Sequence, residues 1–111
     1  LYGLFDLERG SDGFNTGFAF PEVLIAILRE FRAGNHEAAR RLFNRYLPLI
    51  VFEQQPGVAI RKEILRIRGA IATATVRHPG ASLQPGMADQ VRRLIDQLFP
   101  DQDPRKAVSI S

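Results

Sequence analysis

Two lysines, two histidines and a scatter of carboxylates are the side chains in this 111-residue sequence that could enter covalent or acid–base chemistry. Lys62 and Lys106 could each form a Schiff base, but an amine is nucleophilic near neutral pH only where desolvation or a neighbouring cation lowers its pKa. Lys62 falls on the polar face of a helical pattern, next to Arg61 and one turn from Arg66, and Lys106 falls in a polar tail, so both read as solvated. His36 opens a helical pattern and His78 sits in a loop. Neither has further ligand types at metal-binding spacing, so no metal site is expected. Asp6, Glu8 and Asp12 flank a turn, and Glu22 suits the positive end of a helix, so the carboxylates read as structural and no catalytic residue is assigned. The spacing Gly13-x-x-x-Gly17 lacks the lysine and hydroxyl of a phosphate loop. Thr16 with Gly17, at the end of a short predicted strand, is the most site-like local feature, because ligands of α/β folds gather at strand carboxyl ends; a packing role for Thr16 stands equally open.

The elements that must position these residues are mostly helical. LYGLFDL (1–7) suits the last turns of an amphipathic helix, and RGSDG (9–13) supplies its stop. Residues 14–16, between Gly13 and Gly17, are expected to form a strand. Pro21 suits a first helical position, Leu24, Ile27, Leu28 and Phe31 make one apolar stripe, and Gly34 is the expected left-handed stop. Asn35 should cap a third helix running to about Glu53, with a kink or break at Pro48. QQPG (54–57) punctuates the chain, and Ile60, Ile64, Ile67 and Ile71 then recur at spacings of four, three and four. On that helix Arg61 and Arg68 share one flank, covering the edge of a core while their charges stay in water. A loop over residues 76–82 leads to a last helix carrying Met87, Val91, Leu94, Ile95 and Leu98, ended by Phe99 and Pro100, and the remainder is expected to be a poorly ordered tail.

Composition bounds the reading further. With 45% apolar and 24% charged residues the chain is globular and holds one modest core. It has no cysteine, which removes thiolate catalysis, disulfides and Cys-based zinc or iron–sulfur sites. Thirteen of the fifteen cations are arginine, against twelve acidic residues, and the excess lies after Pro56. Clustered basic residues interleaved with exposed aromatics are missing, so nucleic acid is not an expected partner. No apolar run reaches the 18 to 20 residues of a membrane span, and residues 1–7 lack the features of a signal peptide, which fits a cytoplasmic location.

Taken as longer strings, GSDGFNTGFAFPE (10–22), YLPL (46–49), FEQQPG (52–57), AIRKEIL (59–65) and RHPGASL (77–83) resemble the C-terminal part of the dihydrodipicolinate synthase and N-acetylneuraminate lyase family, and within it the sugar-acid dehydratases. The resemblance runs to about Phe99. It implies an α/β (β/α)8 TIM barrel of which this chain holds a mainly α-helical C-terminal fragment. Residues 1–34 would be the end of the seventh barrel helix, the eighth strand and the eighth helix, residues 35–99 a three-helix extension, and residues 100–111 a flexible tail. It also implies a Schiff-base lyase or dehydratase of 2-keto-3-deoxy sugar acids, needing no metal or organic cofactor and commonly assembled as a homotetramer. The family's Schiff-base lysine belongs to the sixth strand, with a tyrosine on the fifth and a threonine-rich carboxylate loop, all ahead of Leu1. Neither Lys62 nor Lys106 occupies that position. Thr16, Gly17 and Phe18 would border the substrate mouth.

By this reading the fragment contributes barrel closure and helical packing. An unpaired eighth strand would need a missing partner or another copy, or would lose its structure. The alternative is a non-catalytic helical module that survives by self-association, its apolar stripes covered by a second copy. An accompanying polypeptide with the missing lysine would favour the enzyme, and a true start near Leu1 the module.

Overall fold

The computed structural model describes residues 3–54, 57–77, 80 and 82–111. Five helices form among them: α1 (Gly3–Glu8), α2 (Pro21–Arg32), α3 (His36–Phe52), α4 (Val58–Ile67) and α5 (Met87–Leu98). The expected first turn at residues 1–2, the punctuation at Gln55 and Pro56, and the loop residues His78, Pro79 and Ala81 lie outside the described residues.

Pro21 opens α2 at its first position, where a missing N–H costs no helical bond. Val23, Leu24 and Ile27 are buried, with Leu28 and Phe31 half-buried beside them. Gly34 then takes a left-handed φ of 84°, and the Asn35 amide reaches back to the Glu30 carbonyl at 2.9 Å, closing the helix end. Asn35 occupies the cap position of α3 without capping it. Its Nδ2 donates instead to Glu30 Oε2 at 2.9 Å, so the side chain serves the turn behind it. α3 continues through Pro48 with no break. Pro48 and Asn44, whose carbonyl would have been its partner, are both exposed, and water can take the lost bond while Tyr46, Leu49 and Ile50 hold the buried face.

The isoleucine stripe is shorter than its sequence spacing predicts, because α4 stops at Ile67. Gly69, at φ 76°, ends it, with the Ala70 amide donating to the Leu65 carbonyl at 2.9 Å, and Ile71 falls outside the helix. The same turn puts Arg68 on the helix end, where its side chain can reach more than one segment.

α2 and α3 form a helical hairpin, α1 leans on α3, and α5 packs against both α3 and α4. One core joins them, with Phe99 stacked between Phe20 and Tyr46 at ring-centroid distances of 4.7 and 5.4 Å. The molecule measures 42 × 33 × 20 Å, so its thin direction holds about two helix layers of roughly 10 Å each. Every helix therefore keeps an outward face, and Phe5, Ile25, Val51 and Val58 are each about half exposed.

Two expectations are corrected here. Residues 14–16 form no strand among the described residues, since a strand needs a neighbour to take its amides and carbonyls and no other described segment is a strand. Residues 101–111 do not splay into solvent either. Val108 is buried, Gln102 and Ser109 exchange two hydrogen bonds of 3.1 and 2.7 Å, and the Tyr46 hydroxyl donates to the Ser111 carbonyl at 3.4 Å.

Candidate functional site

The three residues singled out by sequence lie together where the chain enters α2. Thr16 is exposed, and its Oγ1 accepts the Phe18 amide at 3.3 Å, a local turn that leaves the hydroxyl proton available. Phe18 is buried in the core. Thr16 and Phe18, with Phe14, Asn15, Pro21 and Leu24, line a groove of about 270 Å³, just under the roughly 300 Å³ at which ligand pockets begin. The polar groups on its wall are the Asn15 amide and the Thr16 hydroxyl. Among the described residues, no charged side chain and no nucleophile stronger than a hydroxyl lines it. It can hold and orient a small molecule, but a covalent step there needs groups from elsewhere.

Gly17 stands against α4 rather than the groove. A methyl group at this position would lie 3.4 Å from both Cδ and Nη1 of Arg61, so the bare backbone lets the guanidinium come close. Arg61 also donates through Nη2 to Glu53 Oε1 at 3.2 Å. Glu53 is 1% exposed and Arg61 about one-third exposed. Burial pushes the Glu53 carboxyl up, and the hydrogen bond and charge of Arg61, together with the nearby Ala19 amide, offset only part of this, leaving it above the usual carboxylate value. Glu53 Oε2 and Arg61 Nε are buried without a hydrogen-bond partner among the described residues.

Arg68, on the far side of the same segment, is fully occupied. Its Nη1 donates to the Ala19 carbonyl at 2.8 Å and to Glu22 Oε1 at 2.9 Å, and its Nη2 to Glu22 Oε2 and, at 3.3 Å, to the Lys106 carbonyl. Its Nε donates to the Pro104 carbonyl at 3.0 Å, and the guanidinium lies 4.4 Å from the Phe20 ring centroid. Burial raises the Glu22 carboxyl, but the Arg68 hydrogen bonds, the amide of Glu22 itself, the Val108 amide and the Arg68 charge outweigh it and hold the group below the usual value. Glu22 is thus half of a fork-to-fork ion pair and does more than favour a helix start. Sequence reasoning placed Arg61 and Arg68 together on one flank, but the partners, 8 and 46 residues away, leave no local trace.

The remaining candidates stay apart. Lys62 donates to the Thr75 carbonyl at 2.8 Å on the surface, Lys106 is exposed, and His36 is exposed and stacked on Phe31 at 4.5 Å. Asp6 pairs with Arg9 and Glu8 with Arg40, both pairs exposed. The Asp12 carbonyl accepts from Arg32. His78 lies outside the described residues, and among those described no three His, Asp or Glu side chains gather as a metal site.

A short helix, an irregular entry segment and four further helices of ten to seventeen residues follow one another along the described chain. L-2-keto-3-deoxyarabonate dehydratase from Azospirillum brasilense is 35% identical over 98 residues, covering 87% of this chain and 32% of that enzyme. The crystal structure of dihydrodipicolinate synthase from Rhodopseudomonas palustris matches with a TM-score of 0.79 and 38% identity, over 85% of this chain and 32% of that one. No protein-family model matches. The chain has the sequence and the helical fold of a C-terminal segment of the dihydrodipicolinate synthase family. It spans about a third of the length of the proteins it matches. No helix of the described residues is long and apolar enough to cross a membrane.

Proposed function

We propose that the chain serves as the C-terminal segment of a cytoplasmic Schiff-base lyase or dehydratase acting on 2-keto-3-deoxy sugar acids. The observation that carries this is the 35% identity to a keto-deoxy-sugar-acid dehydratase across 87% of the chain. In this reading the amine that condenses with the keto carbonyl, and the groups that hold the substrate carboxylate, belong to polypeptide ahead of residue 1. The absence of a charged group from the groove wall supports that division of labour. Of Thr16, Gly17 and Phe18, Thr16 borders the substrate by its hydroxyl and Phe18 by its ring, while Gly17 between them takes part through its backbone, its α-carbon facing Arg61. The half-exposed Phe5, Ile25, Val51 and Val58 support the packing of these helices against the rest of a barrel or a second copy in a homo-oligomer.

Mass spectrometry after borohydride reduction tests it. The natural polypeptide that carries this sequence is incubated with pyruvate or a 2-keto-3-deoxy acid, reduced and weighed beside the 111-residue chain. A stable adduct on the natural polypeptide, mapping to a lysine outside residues 1–111, with none on the short chain, is the expected result. An adduct on Lys62 or Lys106, or none on any polypeptide carrying the sequence, overturns the proposal.

A further inference from the structure

We propose that residues 104–108 form a strap that sets the position of residues 16–20, with Arg68 and Glu22 as the positioning residues through which it acts. The functional side of this rests on the reading that Thr16, Gly17 and Phe18 border a substrate.

A guanidinium has five N–H donors in a rigid plane, and Arg68 has five oxygen acceptors within reach: two on Glu22, and the carbonyls of Ala19, Pro104 and Lys106. Two of the five come from the strap. The strap also donates, through the Val108 amide at 3.1 Å, to the same Glu22 oxygen that Arg68 Nη2 engages. The Arg68 side chain is 13% exposed and that of Glu22 19%, so little water reaches the pair to replace a lost partner. Removing the strap leaves Nε and one Nη2 hydrogen without acceptors and Glu22 without the Val108 amide. The guanidinium is then driven to re-orient toward solvent, and the Ala19 carbonyl and the face of Phe20 go with it. Ala19 follows Phe18 directly, so the motion passes into the groove wall.

The strap's polar contacts to this pair are all made by its main chain, and the buried Val108 side chain anchors its end by apolar packing. Its outward side chains can therefore change freely, whereas its path cannot. The arginine cannot be exchanged for lysine either, since three tetrahedral donors do not fill five planar acceptor positions.

Hydrogen exchange on the 111-residue chain tests this without any substrate, so a missing keto-acid adduct would count against the proposed activity and leave the strap untouched. Three variants are compared with the parent: a chain ending at Asp103, Arg68→Lys, and the double variant Arg105→Ser with Lys106→Ser. The first two should speed exchange of the Phe18, Ala19 and Phe20 amides roughly tenfold while amides 91–95 of α5 keep their rates; the third should change nothing beyond about twofold. If shortening the chain also speeds exchange in α5, Arg68→Lys decides alone. Parent rates at residues 18–20 in Arg68→Lys overturn the proposal, as does acceleration in the double variant equal to that of the shortened chain. In the polypeptide that forms the adduct, Arg68→Lys should raise KM for the keto acid with kcat held within about twofold, and an unchanged KM overturns the positioning role.

Discussion

Arg61 on α4 and Arg68 at its C-terminal cap stand seven residues apart, each faces a glutamate, and the two pairs behave in opposite ways. Glu53 is almost wholly enclosed, receives one hydrogen bond from a third-exposed arginine, and keeps an oxygen without a partner, so burial wins and its carboxyl is raised. Glu22 is more open, but a bidentate arginine and the Val108 amide meet it, so its partners win and its carboxyl is lowered. Equal composition thus gives one pair short of donors and one satisfied pair. What separates them is the number of donors that the surrounding chain can bring, which is set by the fold around the helix and not by the helix itself.

The comparison can be broken most forcefully by deleting one arm of each pair. Arg68→Ala strips five acceptors of their donors and should cost about 3 kcal/mol, the low end of the range for breaking a buried pair because neither partner is fully enclosed. Glu53→Ala should cost about 2 kcal/mol, since Arg61 can turn its free end to water, and Glu53→Gln, which keeps an acceptor for Nη2, should cost about 1 kcal/mol or less. Urea denaturation midpoints check all three. An Arg68→Ala loss smaller than that of Glu53→Gln would reverse the ranking.

Acid sharpens the contrast. Glu53 has its pKa raised on folding from 4.5, so its contribution is complete below 4.5 and is lost as pH rises through its higher folded value. Glu22 has its pKa lowered from 4.5, so its contribution is complete above 4.5 and is lost as pH falls through its lower folded value. On acidification from neutrality the chain should first gain a little stability and then lose it. Glu53→Gln should remove the gain and Glu22→Gln the loss, as followed by thermal unfolding across the acid range. The smallest effect is expected at Gly17→Ala, where the new methyl would sit 3.4 Å from the flexible arginine stem; a change under about 1 kcal/mol is predicted, with the Glu53 titration shifted upward if Arg61 is displaced.

The helices were legible because their signals are local. Pro21, Gly34 and the stripe of Leu24, Ile27, Leu28 and Phe31 are written within fourteen residues, and the start and stop of α5 are equally local. Where a signal needed a distant partner, the reading went astray. Residues 14–16 have the flanks of a strand, but strand formation depends on a neighbour. Residues 101–111 are polar and proline-containing, yet they settle because Arg68, 36 residues before Pro104, wants carbonyl oxygens. Ile71 fits the periodicity of α4 and is removed from it by Gly69, a stop that the repeating isoleucines hid. Of the candidate site, Thr16, Gly17 and Phe18 drew attention as the end of an expected strand, which does not form among the described residues. The two ion pairs holding that segment drew none, since an arginine's partner is chosen in three dimensions.

The path of residues 104–108 also governs when the entry to α2 can be completed. The α2–α3 hairpin closes over a three-residue turn and can form as soon as both helices have been synthesised, whereas the Val108 amide meets Glu22 across 86 residues. Chain growth at about 5–20 residues per second separates these events by several seconds. During that interval Glu22 waits without its full set of donors, and the entry to α2 lacks the contacts that residues 104–108 bring. A nascent chain stalled before residue 104 should therefore carry a formed hairpin with an unsettled entrance, and this is the species a chaperone would meet first.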